Sequence, residues 1–394
     1  MKKIIILACF LSVGLLFIFQ IKHTEIAENS TPEQDIMKEK VNQILSSMTL
    51  EEKIGQMLIL YETHPKVDEE VKELFNQINP GGIILNQENI TTYENTKKYI
   101  EEIKKLSDIP LIISVDQEGG RVQRLQLLTD ISPTYIPDMK SIGKTNNSYL
   151  AYETGKILAK QVKTLGINVV FAPVCDIVTH EENNVIGDRS FGNNPTLVTT
   201  MCTNFAKGIE EENIIATYKH FPGHGDTTTD SHTSLPIIQK SLEELENFEL
   251  VPYKEAIANH AKIIMIGHIA FPNITNDTTP ASLSKTIITD ILKNKLNYQG
   301  LVITDALNMQ ALTNNYTEED IYIMAVEAGV DLLLMPSHPE KAIQVIKENI
   351  SEERIDESVK KILHFKFSYL ENTEILDQSY LHKESYQSVL KQIS

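Results

Sequence analysis

The sequence predicts an α/β fold, a single (β/α)8 barrel of the TIM type, on three observations. Strand and helix patterns alternate about eight times along the 394 residues, which is typical of a parallel sheet with crossover helices. The strands are short, continuous apolar runs, as expected where both faces of a sheet are covered. Eight such units in about 320 residues fit a sheet that closes on itself. A doubly wound open sheet is the alternative, but no G-x-G-x-x-G follows a strand, so a dinucleotide-binding fold has no support.

The elements follow in order from apolar periodicity and from cap and turn residues. The first helix begins after Thr49, which forms a capping box with Glu52, and it runs towards Met57. The predicted strands cover residues 58–61, 83–85, 110–115, 168–174, 214–218, 263–266, 300–304 and 330–334. The predicted helices between them cover about residues 65–79, 93–106, 149–165, 197–211, 242–259, 284–296 and 318–328, with further helices from residue 339.

Composition and charge limit the classes of function. Hydrophobic residues make up 41% of the chain, enough for a large core, and 54 acidic against 36 basic residues give a net charge of −18. No basic stripe is present, so we expect no nucleic acid as a partner. Of the three cysteines, Cys9 lies in an apolar N-terminal run, whereas Cys175 and Cys202 are predicted to be small core residues rather than a disulfide framework.

The N-terminus predicts export. Lys2 and Lys3 precede an apolar run over residues 4–19, which is the pattern of a signal peptide. As a helix this run would extend roughly 24 Å, short of a hydrocarbon core of about 30 Å. No A-x-A cleavage sequence follows, and Ala27 is the only small candidate before the polar stretch, so an uncleaved membrane anchor is the alternative. We therefore expect an exported protein, at the cell surface or extracellular.

The chain accordingly divides into four predicted segments. The first is a signal peptide or membrane anchor at residues 1–21, and a polar spacer follows at residues 22–40. The barrel, a single catalytic domain, covers residues 41–372, and a C-terminal tail covers residues 373–394.

Polar residues stand at the C-terminal ends of five predicted strands. They are Asp116, Asp176, His220, His268 and Asp305. Each alone could be a turn residue that caps the following helix. Because the C-terminal rim of such a barrel carries the active site in enzymes of this architecture, the five together predict a shared site.

Residues 219–232, with the sequence KHFPGHGDTTTDSH, concentrate groups that move protons or bind metals. A proline and two glycines exclude a helix, so the stretch is predicted to be a loop after a strand, with a solvated polar turn as the alternative. Two chemistries fit: a carboxylate nucleophile with a separate acid/base, as in retaining glycosidases, or a zinc-dependent hydrolase. The His220-x3-His224 spacing resembles a metal pair, but such ligands need one face of a helix, so no metal is predicted.

Six segments resemble glycoside hydrolase family 3, in particular its bacterial β-N-acetylglucosaminidase (β-hexosaminidase) branch. They are KHFPGHGDTTTDSH, SVDQEGGRVQR, GDRSFGNNP, NVVFAPVCD, GLVITDALNM and MTLEEKIGQM, and the resemblance covers about residues 41–370. It implies a retaining exo-β-N-acetylglucosaminidase that releases terminal GlcNAc through a covalent glycosyl-enzyme, with no metal or organic cofactor. Asp305 matches the nucleophile, His232 the acid/base, and Asp230 the residue that orients His232.

The resemblance also implies which residues bind the sugar. They are Asp116, Arg124, Arg189, Lys219 and His220. Glu118 and Arg121, in the same loop as Asp116, either join them or pair with each other. The resemblance places the acid/base dyad on a loop that closes over substrate, and the glycines on both sides of His224 indicate that this loop moves.

The predicted partner is a GlcNAc-containing carbohydrate, with peptidoglycan-derived muropeptides and soluble amino-sugar oligosaccharides both open, and the chain is predicted to be a monomer. Phosphorolysis instead of hydrolysis stays open, because a neutral histidine repels phosphate less than a carboxylate would. Outside enzymes, the alternative is a cell-wall-binding barrel without catalysis. Candidates for nucleophile, acid/base and orienting aspartate are all present, which disfavours that alternative.

Overall fold

The computed structural model describes residues 32–180, 182–227, 230–231, 234–371 and 373–393. The predicted signal or anchor segment, part of the predicted spacer and the acid/base candidate His232 lie outside these ranges. The chain divides into two units, residues 1–40 and residues 41–394. In the described ranges, no helix has both the length and the apolar character needed to cross a membrane.

A parallel sheet of eight strands forms the centre of the second unit, as far as the structure describes it. The strands are β1 Leu58–Tyr61, β2 Gly82–Leu85, β3 Ile112–Val115, β4 Gln117–Gly119, β5 Val122–Gln123, β6 Val169–Val170, β7 Ile215–Phe221, β8 Ile263–Ile266, β9 Leu301–Thr304 and β10 Leu333–Leu334. The sheet order is β10-β1-β2-β3-β6-β7-β8-β9, while β4 and β5 form a separate antiparallel pair. A parallel bridge between Ile303 and Leu332 joins the two ends of the sheet. The predicted (β/α)8 barrel is confirmed.

Helices follow most strands and cover the outside of the sheet. The α-helices are α1 Pro32–Ser47, α2 Leu50–Gln56, α3 Glu69–Ile78, α4 Tyr93–Lys104, α5 Met139–Lys144, α6 Ser148–Lys163, α7 Pro195–Glu211, α8 Leu242–Asn247, α9 Val251–Ala258, α10 Pro272–Thr275, α11 Gln310–Thr313, α12 Glu318–Ala328, α13 Pro339–Asn349, α14 Glu352–Tyr369 and α15 Glu384–Leu390. A π-helix covers Thr286–Lys295, and short 3-10 helices cover Arg124–Leu127, Gly187–Arg189, Ala281–Leu283 and Gln378–Leu381. The predicted capping box at the start of α2 is present, with Thr49 and Glu52 each accepting from the other's backbone N–H.

The barrel strands are buried on both faces, which explains their continuous apolar sequences. Every residue of β2, β3, β7, β8 and β9 is buried. The polar side chains among them find partners inside the barrel. Ser114 Oγ donates to the Ile83 carbonyl at 2.8 Å, and Thr304 Oγ1 accepts from the Leu334 N–H at 3.1 Å.

Strand β7 ends three residues later than the sequence predicts, and this difference matters for the site. The prediction ended the strand at residue 218, so Lys219 and His220 were assigned to a loop. In the structure they belong to the strand, because the chain after β6 continues beside it: Val174 bridges to Lys219, and Cys175 N–H donates to the Lys219 carbonyl at 2.6 Å. Lys219 and His220 are thus held by strand pairing rather than by a loop.

The predicted helix over residues 242–259 is two helices, α8 and α9. Pro252 lies in the first turn of α9. A proline has no N–H, and its ring clashes with the carbonyl four residues earlier, which here belongs to Phe248. The helix therefore ends before Phe248 and starts again at Val251. The helix predicted near residues 284–296 is present, but it takes the π form.

The two cysteines of the barrel are core residues, as predicted. Cys175 and Cys202 are free thiols, and both are buried. Their side chains interact, and burial together with this contact raises the pKa of the Cys202 thiol well above its usual value.

The segment predicted as a C-terminal tail packs on the barrel. It contains a 3-10 turn and helix α15, and Leu381 at the end of that turn is fully buried. The Leu381 carbonyl accepts hydrogen bonds from Thr134 N–H at 2.7 Å and from Gln161 Nε2 of α6 at 3.0 Å. These bonds fix the segment against α6.

A buried lysine on α14 leads to a prediction about stability. Lys366 is fully buried and donates from Nζ to Gln56 Oε1 at 2.7 Å, and burial lowers its pKa to about 7. Between about pH 7 and pH 10, the unfolded chain therefore binds more protons than the folded chain, so Lys366 makes the free energy of unfolding rise with pH. We expect Lys366→Met to flatten this rise by about 1 kcal/mol per pH unit between pH 7.5 and 9.5 in denaturant titrations.

The control is Lys360→Met on the exposed side of the same helix, which should leave the slope of the wild type unchanged. Comparing slopes rather than absolute stabilities removes the effect of leaving Gln56 without its partner. Parallel profiles for the wild type and Lys366→Met would contradict the prediction.

Candidate active site

A cavity of about 250 Å³ lies at the C-terminal ends of the barrel strands. Its polar lining consists of Asp116, Glu118, Arg121, Arg124, Asn184, Arg189, Lys219, His220, His224, Asp230, Ser231 and Asp305, with Val122, Val185 and Ile186 as its apolar part. The cavity thus brings together the predicted catalytic and sugar-binding residues that the structure describes. His232 lies outside the described residues, and Asp176 and His268, two of the five strand-end residues, do not line the cavity.

Buried ion pairs on one side of the cavity centre on Glu118, which is 1% exposed. Arg189 binds its two carboxylate oxygens with Nε and Nη2, each at 2.8 Å, and Lys219 Nζ lies 2.6 Å from Oε1. Lys219 Nζ also contacts Asp116 Oδ1 at 2.8 Å. Burial would raise the pKa of Glu118, but Arg189 and Lys219 outweigh burial and hold that pKa well below its usual range. Two cations and two carboxylates therefore neutralise one another at the cavity wall.

Sequence analysis left the partners of Glu118 and Arg121 open, and in the structure they do not pair with each other. Arg121 Nε donates to Asp188 at 2.9 Å, and Nη2 donates to the carbonyls of Asn184 and Val185, both at 2.8 Å. Arg121 therefore holds the loop that precedes Arg189, whereas Glu118 holds Arg189 itself.

Arg124 lines the cavity at the start of a 3-10 helix. In the part of the chain that the structure describes, no carboxylate forms a salt bridge with it within 4.0 Å. Its guanidinium is therefore available to the cavity.

Asp305 directly follows β9, and its Oδ1 accepts from the Ala306 N–H at 2.8 Å. Burial would raise the pKa of its carboxyl, but His220, His268 and the Ala306 N–H outweigh burial and lower the pKa to about 2. Asp305 is therefore ionised across the physiological pH range, the state that a carboxylate nucleophile requires.

Asp176 lies beneath the cavity and orients two histidines. It is fully buried, and its carboxylate accepts from His220 Nδ1 at 2.7 Å and from the His224 N–H at 2.7 Å. Because a carboxylate accepts, Nδ1 of His220 carries a proton, and Nε2 is the ring nitrogen left to face the cavity. His220 is thus fixed in both position and tautomer.

His268 supports Asp305 from below rather than lining the cavity. Its Nε2 lies 2.9 Å from the Ala306 carbonyl, and its Nδ1 lies 2.7 Å from Ser282 Oγ. A carbonyl only accepts, so Nε2 of His268 donates to it. His268 therefore fixes the residue whose N–H binds the Asp305 carboxylate.

The histidine-rich segment is packed tightly where it leaves the strand. His224 is 1% exposed, and its Nε2 lies 3.0 Å from Ser231 Oγ, while burial lowers its pKa to about 4. A Cβ on Gly225 would lie 1.9 Å from the Ile177 carbonyl, and one on Gly223 would lie 2.8 Å from Glu249. The glycines beside His224 thus allow close packing, which is a different function from the mobility that the sequence indicated.

The described residues contain no group of three or more His, Cys, Asp or Glu side chains arranged to hold a metal ion. The two histidines with metal-like spacing are both engaged by protein groups. His220 uses Nδ1 on Asp176, and His224 uses Nε2 on Ser231. Their rings also meet edge to face, with centroids 5.9 Å apart.

Comparison with known proteins identifies the family. The family model described as "Glycosyl hydrolase family 3 N terminal domain" matches residues 49–365. The chain belongs to glycoside hydrolase family 3. The predicted resemblance is therefore confirmed.

Named relatives agree with this assignment. Beta-hexosaminidase A of Pseudoalteromonas piscicida is 36% identical over 289 residues, which is 68% of this chain and 47% of that protein, so the chain spans about half its length. Beta-hexosaminidase of Haemophilus influenzae Rd is 34% identical over 71% of this chain and 79% of that protein. A solved family 3 β-N-acetylglucosaminidase from Paenibacillus sp. FPU-7 superposes with a TM-score of 0.82 at 33% identity, covering 88% of this chain and 68% of that one. These relatives support the predicted β-hexosaminidase type of glycoside hydrolase.

Two features of the site were not predicted. Residues 184–186 line the cavity, and their place directly before the GDRSFGNNP segment was the signal that could have indicated it. Ser231 was also overlooked, although it stands between the two predicted dyad residues.

The buried ion pairs give a second prediction. Glu118→Gln keeps the shape of the side chain but leaves Arg189 and Lys219 without their shared countercharge, so we expect the free energy of unfolding to fall by about 3 kcal/mol. The matched control is Asp188→Asn, which breaks the exposed pair with Arg121 at 2.9 Å and should cost less than about 1 kcal/mol. Denaturant titration of both variants measures the difference, and equal losses would show that burial does not set the strength of the Glu118 pairs.

Proposed function

We propose that this chain is a retaining, exo-acting β-N-acetylglucosaminidase that hydrolyses terminal GlcNAc from amino-sugar oligosaccharides. Asp305 carries the proposal: an ionised carboxylate with a pKa of about 2 at the end of a barrel strand, facing a small polar cavity. The names of the relatives, β-hexosaminidase and β-N-acetylglucosaminidase, support GlcNAc as the sugar.

In the proposed first step, an oxygen of Asp305 attacks the anomeric carbon as the bond to the leaving oxygen breaks. The glycosidic oxygen takes a proton from the acid/base, for which the resemblance indicates His232, with Asp230 orienting it. In the second step, water attacks the glycosyl-enzyme after giving a proton to the same base, and Asp305 leaves. Two displacements at one carbon retain its configuration.

The predicted binding residues suit sugar hydroxyls. Asp116 accepts, while Lys219, Arg124 and Arg189 donate, and Nε2 of His220 faces the same cavity. Because Glu118 and Asp116 together balance the charges of Arg189 and Lys219, these cations can bind neutral hydroxyls without a countercharge from the substrate. The volume of about 250 Å³ is below the range of about 300–1,000 Å³ of pockets for larger ligands, which favours one terminal sugar ring over an internal stretch of a chain.

Export and a cell-wall substrate form the finer part of the proposal. The positively charged start and the apolar run at residues 4–19 support export of the protein, anchored or released, and a muropeptide is the substrate that we propose for it at the cell surface or in the medium. Cell fractionation tests the location, and the mass of the mature chain distinguishes a cleaved signal peptide from an anchor. Finding the full-length chain in the cytoplasm would remove this part of the proposal.

The principal test is hydrolysis of 4-nitrophenyl β-GlcNAc by the wild type and by two variants. We expect Asp305→Ala to lower kcat/KM by about 10³-fold or more, because the nucleophile is lost. His232→Ala should lower it by about 10²-fold on poor leaving groups and much less on good ones, which need no proton. Asp108→Asn, an exposed carboxylate away from the cavity, is the control and should be fully active.

Other outcomes of the same assay separate the alternatives. Activity on another sugar but not on GlcNAc would keep the fold and refute the sugar assignment. Equal behaviour of the wild type and all the variants would favour a binding barrel. Loss of activity on chelation would favour a zinc hydrolase. Formation of sugar 1-phosphate in phosphate buffer would favour a phosphorylase.

The pH profile provides a further prediction. Asp305, with a pKa of about 2, keeps its charge as the pH falls, so it produces no acid limb in the usual range. A histidine acid with an ordinary pKa of about 6.5 loses its proton above neutral pH. We therefore expect kcat/KM to be flat between about pH 4 and 6 and to fall about tenfold per unit above pH 7.5. An acid limb near pH 5 would contradict the low pKa of the nucleophile.

A further inference from the structure

Ser231 lies between the two predicted dyad residues, Asp230 and His232, and it is held from both its side chain and its backbone. The residue is 2% exposed, and its Oγ lies 3.0 Å from Nε2 of His224. Its carbonyl accepts from the Ala311 N–H at 3.2 Å. A serine beside an acid/base group would ordinarily face water or substrate, whereas this hydroxyl is directed to the protein.

His224, the partner of Ser231, is itself rigidly placed. Its backbone N–H donates to the buried Asp176 carboxylate at 2.7 Å, and the carbonyl of Ile177 leaves no room for a side chain at Gly225. Within the described residues, Nδ1 of His224 has no hydrogen-bond partner. In the described residues, this ring therefore holds another residue through its hydrogen bond with Ser231.

A separate ion pair joins the two ends of the loop that contains Ser231. Asp226 contacts Lys240 Nζ at 2.9 Å, which ties the two ends of residues 227–239 together. Asp226 also contacts His180 Nε2 at 3.1 Å. Between these fixed ends, the Ser231 hydroxyl is attached to the barrel through His224.

We propose that the Ser231–His224 hydrogen bond is a latch that positions Asp230, which lines the cavity, for its predicted role of orienting the acid/base. Ser231 and His224 are then positioning residues, since they act through their neighbours and not on the substrate. Asp176 binds the backbone N–H of His224 and also orients the ring of His220 in the sugar site. One buried carboxylate therefore fixes residues on both sides of the cavity. This inference rests on the proposed function. Burial lowers the pKa of His224 to about 4, so the latch keeps one protonation state throughout the working pH range.

The test compares leaving groups, because only a poor one needs the proton. For Ser231→Ala, we expect kcat/KM to fall about tenfold on 4-methoxyphenyl β-GlcNAc and less than about twofold on the 2,4-dinitrophenyl glycoside. Ser231→Thr keeps the hydroxyl and should recover most of the loss. The control is Ser234→Ala in the same loop, an exposed serine whose backbone N–H, and not its side chain, bonds Asp230, and it should match the wild type on both substrates.

Three results would overturn the latch. The first is activity of Ser231→Ala equal to that of the wild type on both glycosides. The second is a loss by the same factor on both, which indicates a general loss of folding or binding. His224→Gln provides an independent variant, and it must show the same dependence on leaving group for the inference to hold. A wild type inactive on every GlcNAc glycoside would refute the proposed function itself, and that result is distinguishable because it precedes any variant.

Discussion

The site depends first on the buried carboxylate of Glu118. It lies between Arg189 and Lys219, and these three residues come from β4, a 3-10 helix and β7. Placing such charges in a protein interior is costly unless each has a close partner, so their positions are tightly constrained. The pairing joins separate crossovers of the barrel at one wall of the cavity. Asp116 and Lys219 are in contact at the edge of this wall. The fold therefore holds in position the hydrogen-bond donors and acceptors that a sugar would contact.

On the nucleophile side of the cavity, the carboxylate of Asp305 is stabilised by His220, His268, Lys219 and a backbone N–H. Asp305 receives a backbone N–H, and the histidines beside and beneath it are oriented by Asp176 and Ser282. The result is a carboxyl with a pKa of about 2, far from that of an ordinary histidine. Two groups whose pKa values differ this widely can serve as nucleophile and as acid at one pH, which is the division of labour that a retaining glycosidase needs.

The sequence predicted the barrel because its evidence was local: apolar runs, their spacing and a polar residue after each of five strands. The break at Pro252 was equally local and could have been predicted from the proline. The partners of Glu118 could not have been predicted from local sequence. Arg189 is 71 residues away, and Arg121, a nearer cation, was an equally good candidate. The extent of β7 was also beyond local reasoning, since Lys219 and His220 are polar and only pairing with the chain after β6 keeps them in the strand.

Asp176 shows why such a site is organised from beneath. It does not itself line the cavity, yet it binds His220, which lines the cavity, and the backbone of His224, which holds Ser231. A displacement of this one carboxylate would move binding residues and the dyad segment together. The tight packing of Gly225 on Ile177 has the same consequence, because it fixes the backbone of His224. The backbone at His224 is therefore fixed by the barrel, and Ser231 is bound to the His224 ring.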